Sequence, residues 1–150
     1  PMVKEGGANG RIELNNITFK YPSRNNYTFN NLNLKIPPGA KVALVGPSGC
    51  GKSTITQMIL RFYEPESGEI MLDGRNIKDY DLKYLRKLFG VVSQEPVLFN
   101  ASFRDNIKYN KEDATEENMK LAAHQANALQ FIEGAEPIED PNKDQEDAKV

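Results

Sequence analysis

One eight-residue stretch constrains this chain more than any other. Gly46-Pro47-Ser48-Gly49-Cys50-Gly51-Lys52-Ser53 matches the pattern G-x-x-x-x-G-K-[ST] at every fixed position. Such a loop has one place in a fold, between a buried strand and the start of a helix. Its backbone N–H groups must turn inward around phosphate oxygens, and Gly46, Gly49 and Gly51 permit that curvature. A helix beginning near Lys52 adds the positive end of its dipole. Lys52 is expected to reach β- and γ-phosphates, the Ser53 hydroxyl a Mg²⁺ ion, and the Thr54 hydroxyl a phosphate oxygen. The flanks agree with this reading. Lys41 to Gly46 (KVALVG) is an apolar run without alternation, which predicts a strand buried on both faces. After the loop, Ile55, Met58, Ile59 and Phe62 recur at helical spacing, which predicts one buried stripe on a helix from Lys52 to Tyr63.

The rest of the chain divides by periodicity. Residues 1–10 are polar and Gly-rich and read as a flexible leader. Arg11 to Tyr21 alternates around Ile12, Leu14, Ile17 and Phe19, a strand with an irregularity at Asn15-Asn16. Leu32, Leu34 and Ile36 alternate again before the turn at Pro37-Pro38-Gly39, so an antiparallel layer is expected. Glu69 to Leu72 reads as a short strand closed by the turn Asp73-Gly74. Leu82, Leu85 and Leu88 mark a short helix, and Gly90 to Ser93 another strand. Asp113 with Glu116 fits a capping box ahead of a helix reaching about Ile132, with Met119, Ala122, Ala123, Ala126 and Leu129 on its apolar face. From Glu133 to Val150 there are seven acidic residues, two basic residues and two prolines, a composition that predicts a disordered tail.

Composition excludes some classes. The formal net charge of −2 predicts no strong attraction to nucleic acid. No run approaches the roughly 18–20 apolar residues of a membrane span. The single cysteine, Cys50, cannot form an internal disulfide.

Several flanking stretches, taken in order, carry a family resemblance. They are Phe19-Lys20-Tyr21-Pro22-Ser23-Arg24, Leu60-Arg61-Phe62-Tyr63-Glu64-Pro65, Ile70-Met71-Leu72-Asp73-Gly74, and Val91-Val92-Ser93-Gln94-Glu95-Pro96-Val97-Leu98-Phe99. Together with the loop they resemble the nucleotide-binding domain of ABC transporters, in the multidrug-resistance (P-glycoprotein-like) exporter branch. The resemblance covers roughly residues 11–132. It implies an α/β fold: a P-loop NTPase half-core with an antiparallel β-subdomain and the start of a helical subdomain. It implies the ATP-binding portion of an exporter that, when intact, couples ATP hydrolysis to transport across a membrane, with ATP and Mg²⁺ as ligands. Gly46 to Thr54 would hold the phosphates. Tyr21 would be the A-loop residue whose ring stacks on adenine; the alternative, from the residues alone, is a core tyrosine ending a strand. Gln94 would be the Q-loop residue that positions metal or water; from spacing alone it is a polar loop residue. The implied partners are a second nucleotide-binding domain and a transmembrane domain met by the region after Gln94, from Phe99 to Asn106. The implied location is the cytosolic face of a membrane, with this portion itself soluble.

The resemblance also has gaps. The Leu-Ser-Gly-Gly-Gln signature, the second acidic motif with its catalytic glutamate, and the switch histidine are not in this sequence. His124 falls inside a predicted helix and reads as a surface histidine. The sequence therefore reads as truncated before the signature, and the portion present is expected to bind Mg-ATP without hydrolysing it. Two rivals stay open: a soluble ABC-type ATPase not linked to transport, and a binding-only nucleotide module. A third is weaker. Asn110-Lys111-Glu112-Asp113 matches the guanine-reading N-K-x-D of GTPases, but Ile107-Lys108-Tyr109 is a poor strand before it and no D-x-x-G motif lies between it and the loop. The transported substrate is not written here.

Overall fold

The computed structural model describes Val3, residues 8–109, Lys111 and residues 113–134. The chain falls into two compact units, Pro1–Val92 and Ser93–Val150.

The first unit is built on one four-stranded sheet. Its strands are β1 (Ile12–Phe19), β2 (Phe29–Ile36), β3 (Ser67–Leu72) and β4 (Arg75–Asn76). They lie in the order β2-β1-β3-β4 and every pairing is antiparallel. β1 is central and buries Leu14, Ile17 and Phe19. Leu14 and Ile17 are three apart, so an unbroken strand would send them to opposite faces. The irregularity expected at Asn15-Asn16 resolves this. The register against β2 shifts between Leu14 and Ile17, and Asn16 takes a φ of 52°. Gly68 on β3 makes the bulge possible. A Cβ there would stand 2.4 Å from the Asn15 carbonyl oxygen and 2.5 Å from that of Asn16. No other residue fits that approach.

β3 and β4 are joined through Asp73 and Gly74, both at positive φ as a two-residue hairpin requires. The Asp73 carboxylate accepts hydrogen bonds from the backbone N–H groups of Asn9, Gly10 and Arg11. Val3 bridges to Tyr80.

Helix α1 (Lys52–Ile59) buries Ile55 and Met58 on the expected stripe. It is shorter than the periodicity predicts. Leu60 closes it, Arg61 turns to a φ of 54°, and Phe62 stands 59% exposed instead of buried. The end is closed by a left-handed turn in which the Arg61 N–H donates to the Met58 carbonyl and the Phe62 N–H to the Gln57 carbonyl, and a side chain distant in sequence braces it. Arg86, on α2 (Leu82–Lys87), donates to the carbonyls of Leu60 and Arg61 and sits 4.5 Å from the centre of the Phe62 ring. It satisfies carbonyls that a helix end leaves without partners. Leu14, Ile17, Met58, Leu72 and Leu85 are fully buried and form the centre of the core. Each contributes about 1.5–3 kcal/mol by leaving water.

Two expected strands are corrected. Lys41 to Gly46 and Gly90 to Ser93 have no regular structure. Val45 is 93% exposed and Val92 98% exposed. A strand closes its hydrogen bonds only against a neighbour, and among the described residues no strand pairs with either segment.

The second unit is helical: α3 (Phe103–Lys108), α4 (Glu116–Gln125) and α5 (Leu129–Gly134). The single helix expected from Asp113 to Ile132 is two. It begins two residues later, because Thr115 and not Asp113 supplies the capping oxygen, accepting from the Asn118 N–H at 3.2 Å. It breaks at Asn127, at φ 55°. Met119 and Ala123 are buried and His124 is exposed on α4, while Phe103 meets the Phe131 ring edge-on. Ile107 and Lys108 belong to α3, so no strand leads into the N-K-x-D match, of which Asn110 and Glu112 lie outside the described residues. The acidic run lies outside them too from Ala135 onward; Glu133 and Gly134 close α5.

Candidate functional site

The loop before α1 descends onto the first residues of β2. Gly51 is the point of closest approach. Its φ is 100°, and a Cβ there would stand 2.6 Å from the Phe29 ring and 2.9 Å from the Thr28 side chain. Only glycine tolerates both the conformation and the contact. Gly51 is also the N-cap of α1, and no side chain caps the helix there. The first turn holds no acidic residue. Helices α2, α3 and α4 differ: Asp81, Ser102 and Thr115 each accept a backbone N–H in the first turn. The first N–H groups of a helix have no intrahelical acceptor. At α1 they are left open, at the positive end of the dipole.

Lys52 folds back over the loop. Its ammonium donates to the carbonyl oxygens of Gly46 and Pro47, each at 2.7 Å, and lies 3.6 Å from Cys50 Sγ. A cleft of about 320 Å³ opens beside it, lined by Tyr21, Arg24, Thr28, Ser48, Gly49, Gly51, Lys52, Ser53 and Thr54. That lining has two cations, five hydroxyls and no carboxylate, a set suited to an anion rich in oxygen acceptors. A second cleft of about 560 Å³ is bounded by Arg24 to Thr28 with Gly49 and Cys50. The exposed Cys50 thiol therefore sits at the rim.

Tyr21 is tied to the helix that the Gly46–Ser53 loop leads into. Its hydroxyl lies 2.7 Å from Thr54 Oγ1 and donates to Gln57 Oε1 at 3.0 Å. Its ring meets Phe19 and Tyr63 edge-on, each at 5.1 Å. The Arg24 guanidinium sits 5.6 Å from the ring centre. Thus Tyr21, Ser48, Gly49 and the residues from Gly51 to Thr54 converge on one cleft, and Arg24 joins them; Gly46, Pro47 and Cys50, expected in the same site, do not line it. Gln94 belongs to the second unit, in an exposed segment without regular structure, not at the end of a strand.

Sequence reasoning missed Gln57 and Tyr63. Gln57 had a signal: it lies three residues after Thr54, so a helix puts the two side chains on one face. Tyr63 had none, because its ring contact depends on the turn at Arg61. Among the described residues no cluster of three His, Cys, Asp or Glu side chains is arranged to hold a metal.

The same residues can be compared with known proteins. The family model described as ABC transporter matches residues 29–143. ABC transporter B family member 21 of Arabidopsis thaliana is 51% identical over 83% of this chain, and that match covers 10% of the relative. ABC transporter B family member 3 of Dictyostelium discoideum is 48% identical over 87% of the chain and 9% of its own length. The chain thus spans about a tenth of these curated relatives. A solved structure, a bacterial Atm1-family ABC exporter with ATP bound, superposes with a TM-score of 0.80 at 34% identity, over 90% of this chain and 24% of that one.

Proposed function

The chain belongs to the ABC transporter family, and from that premise we propose that it is the front part of an exporter's nucleotide-binding domain, holding Mg-ATP in the cleft before α1. Residues 11–132 make up this part, after a leader at 1–10 and ahead of the acidic tail at 133–150. The observation that carries the reading is the open start of α1 beneath the Lys52 ammonium, in a cleft without a carboxylate.

The residues divide the work by chemistry. The N–H groups of Gly49 and of Gly51 to Thr54 face the phosphates. Lys52 exchanges its two carbonyl acceptors for phosphate oxygens, which are stronger partners because they are charged. Ser53, whose side chain is exposed, offers its hydroxyl to the magnesium that the nucleotide carries; for Gln94 the family resemblance supports a role in positioning metal or water. Tyr21 offers its ring to the base. Arg24 now lies over that ring, so the base takes its place or pushes it aside. In the intact protein this part meets a second nucleotide-binding domain, and a transmembrane domain through the segment from Phe99 to Asn106. ATP hydrolysis there drives export, at the cytosolic face of a membrane. No described helix is itself long and apolar enough to cross one.

Phosphoryl transfer to water needs a group that positions the water. The described lining of the cleft has no carboxylate, and the family's signature motif and catalytic glutamate are not in this sequence; on the proposed reading the chain by itself therefore binds nucleotide without turning it over. Titration with a fluorescent ATP analogue tests the binding. Lys52→Ala is expected to weaken it by about 1.5–3 kcal/mol. Equal affinities of parent and variant would remove the assignment. Phosphate release by the parent is expected to match that of Lys52→Ala, and a clear excess would reveal a catalytic group on this chain.

A further inference from the structure

Tyr21 has one hydroxyl proton and two hydrogen-bond partners. Gln57 presents its amide oxygen, which only accepts, so the tyrosine proton goes there, at 3.0 Å. The 2.7 Å contact with Thr54 Oγ1 must then use the threonine proton. Thr54 donates to Tyr21, which donates to Gln57. Thr54 is 3% exposed and lines the cleft. In this arrangement its only proton is committed away from the cleft. A phosphate oxygen is an acceptor and would meet a threonine with nothing to donate.

We propose that a triphosphate in the cleft reverses this chain and that Gln57 is the positioning residue that permits the reversal. Gln57 turns its amide so that Nε2 donates to the Tyr21 oxygen. Tyr21 then donates to Thr54, and Thr54 donates to a phosphate oxygen. No covalent bond forms or breaks and each proton stays on its own heavy atom; only rotations about single bonds occur. Glutamine suits the task because a half-turn of its terminal amide exchanges an acceptor for a donor. A carboxylate could not follow, and an apolar side chain would simply leave the direction free. Gln57 touches no part of the nucleotide. It acts through the residue that also offers its ring to the base, so the phosphate end and the base end of the site share one hydrogen-bond pattern. The inference rests on the cleft being a triphosphate site.

The test uses the whole chain, Mg-ATP as the probe, and circular dichroism to confirm that each variant folds. Gln57→Glu locks the chain in its unliganded direction and is expected to weaken binding about tenfold at neutral pH. Gln57→Leu frees Tyr21 to donate to Thr54 and is expected to stay within about threefold of the parent. The new carboxylate also repels phosphate, and Thr54→Val separates that effect. Without the threonine hydroxyl the chain cannot end on phosphate, so Gln57→Glu should then cost only its charge effect, about threefold or less. Thr54→Ser keeps the hydroxyl and should restore the full tenfold difference. If Thr54→Val does not fold, Tyr21→Phe replaces it by breaking the chain at its centre. A Gln57→Glu loss of equal size in both backgrounds overturns the proposal, as does a Gln57→Leu loss as large. A parent chain that binds no Mg-ATP removes the triphosphate reading and this inference with it, and that outcome is seen before any variant is made.

Discussion

Helices α1 and α4 begin in opposite ways. At α4, Thr115 accepts the Asn118 N–H, and Glu116 and Glu117 complement the dipole in the first turn. Every device there serves the helix itself. At α1 the cap is a glycine at φ 100°, no side chain accepts a first-turn N–H, and the first-turn charge is a lysine. That start is worse for the helix and better for an outside anion. A third place shows the same backbone groups satisfied internally. At the β3–β4 turn, three successive N–H groups, those of Asn9, Gly10 and Arg11, close on the Asp73 carboxylate. The difference is whether the protein supplies the anion or leaves its place for a ligand.

The largest expected break in this contrast is at Gly51. Gly51→Val puts a β-branched residue at φ 100° and drives its Cβ against the Phe29 ring. The strain and overpacking should cost about 2–4 kcal/mol in thermal stability and remove nucleotide binding. The matched change at α4, Thr115→Gly, should cost a few tenths of a kcal/mol. Similar melting temperatures for both would show that the loop does not descend as described. Next is Tyr21. The Ala variant should lose about 1–3 kcal/mol of nucleotide affinity with the stacking surface. The Phe variant keeps the ring and should stay within about threefold of the parent in affinity, while the loss of two hydroxyl partners inside the protein should lower stability by about 0.5–1.5 kcal/mol.

Thr115→Ala is smaller and sharpens the contrast from the other side. It should lower stability by about 1 kcal/mol and leave nucleotide affinity unchanged; a change in affinity would mean that α4 is not a purely structural start. The smallest effect concerns Asp73. Burial acts to raise its pKa, but the N–H groups of Arg11, Gly10 and Asn9 outweigh it and hold the carboxyl below its usual 3.8. A carboxyl depressed by folding stabilises fully above its unfolded pKa and loses that contribution as pH falls through the folded value. Glu64, lowered chiefly by its hydrogen bond from Lys78, adds to the same acid limb. Melting temperature followed from pH 5 to pH 2 should fall, and Asp73→Asn should flatten the part due to the turn. An unchanged slope would mean that the carboxylate does not hold the leader in solution.

Much of this was legible in the residues because it is local. The loop motif, the Asn15-Asn16 irregularity, the Asp73-Gly74 turn and the Ile55–Met58 stripe each follow from φ preferences or side-chain spacing over a few residues. The lining of the candidate cleft was legible at Ser48, Gly49 and Gly51 to Thr54, which the motif names, and at Tyr21 by resemblance. The misreadings share another origin. KVALVG has the composition of a buried strand, but no described strand pairs with it. Phe62 continues a helical stripe, but the left-handed turn at Arg61, braced by Arg86, ends the helix first. Thr115 and Asp113 are both capping types, and only the backbone path decides between them.

What the sequence determined by itself is therefore the glycine-rich loop ahead of α1, the family and the antiparallel pairing of β1 with β2, because each is set by neighbouring residues or by an ordered series of short motifs. Only the tertiary structure decided that Tyr21, Thr54 and Gln57 share one chain of hydrogen bonds, that Lys52 rests on its own loop, and that α1 stops at Ile59. These depend on groups brought within about 3 Å across long stretches of chain. A hydrogen bond weakens steeply with a small change in distance or angle, and no spacing rule along the sequence carries that precision.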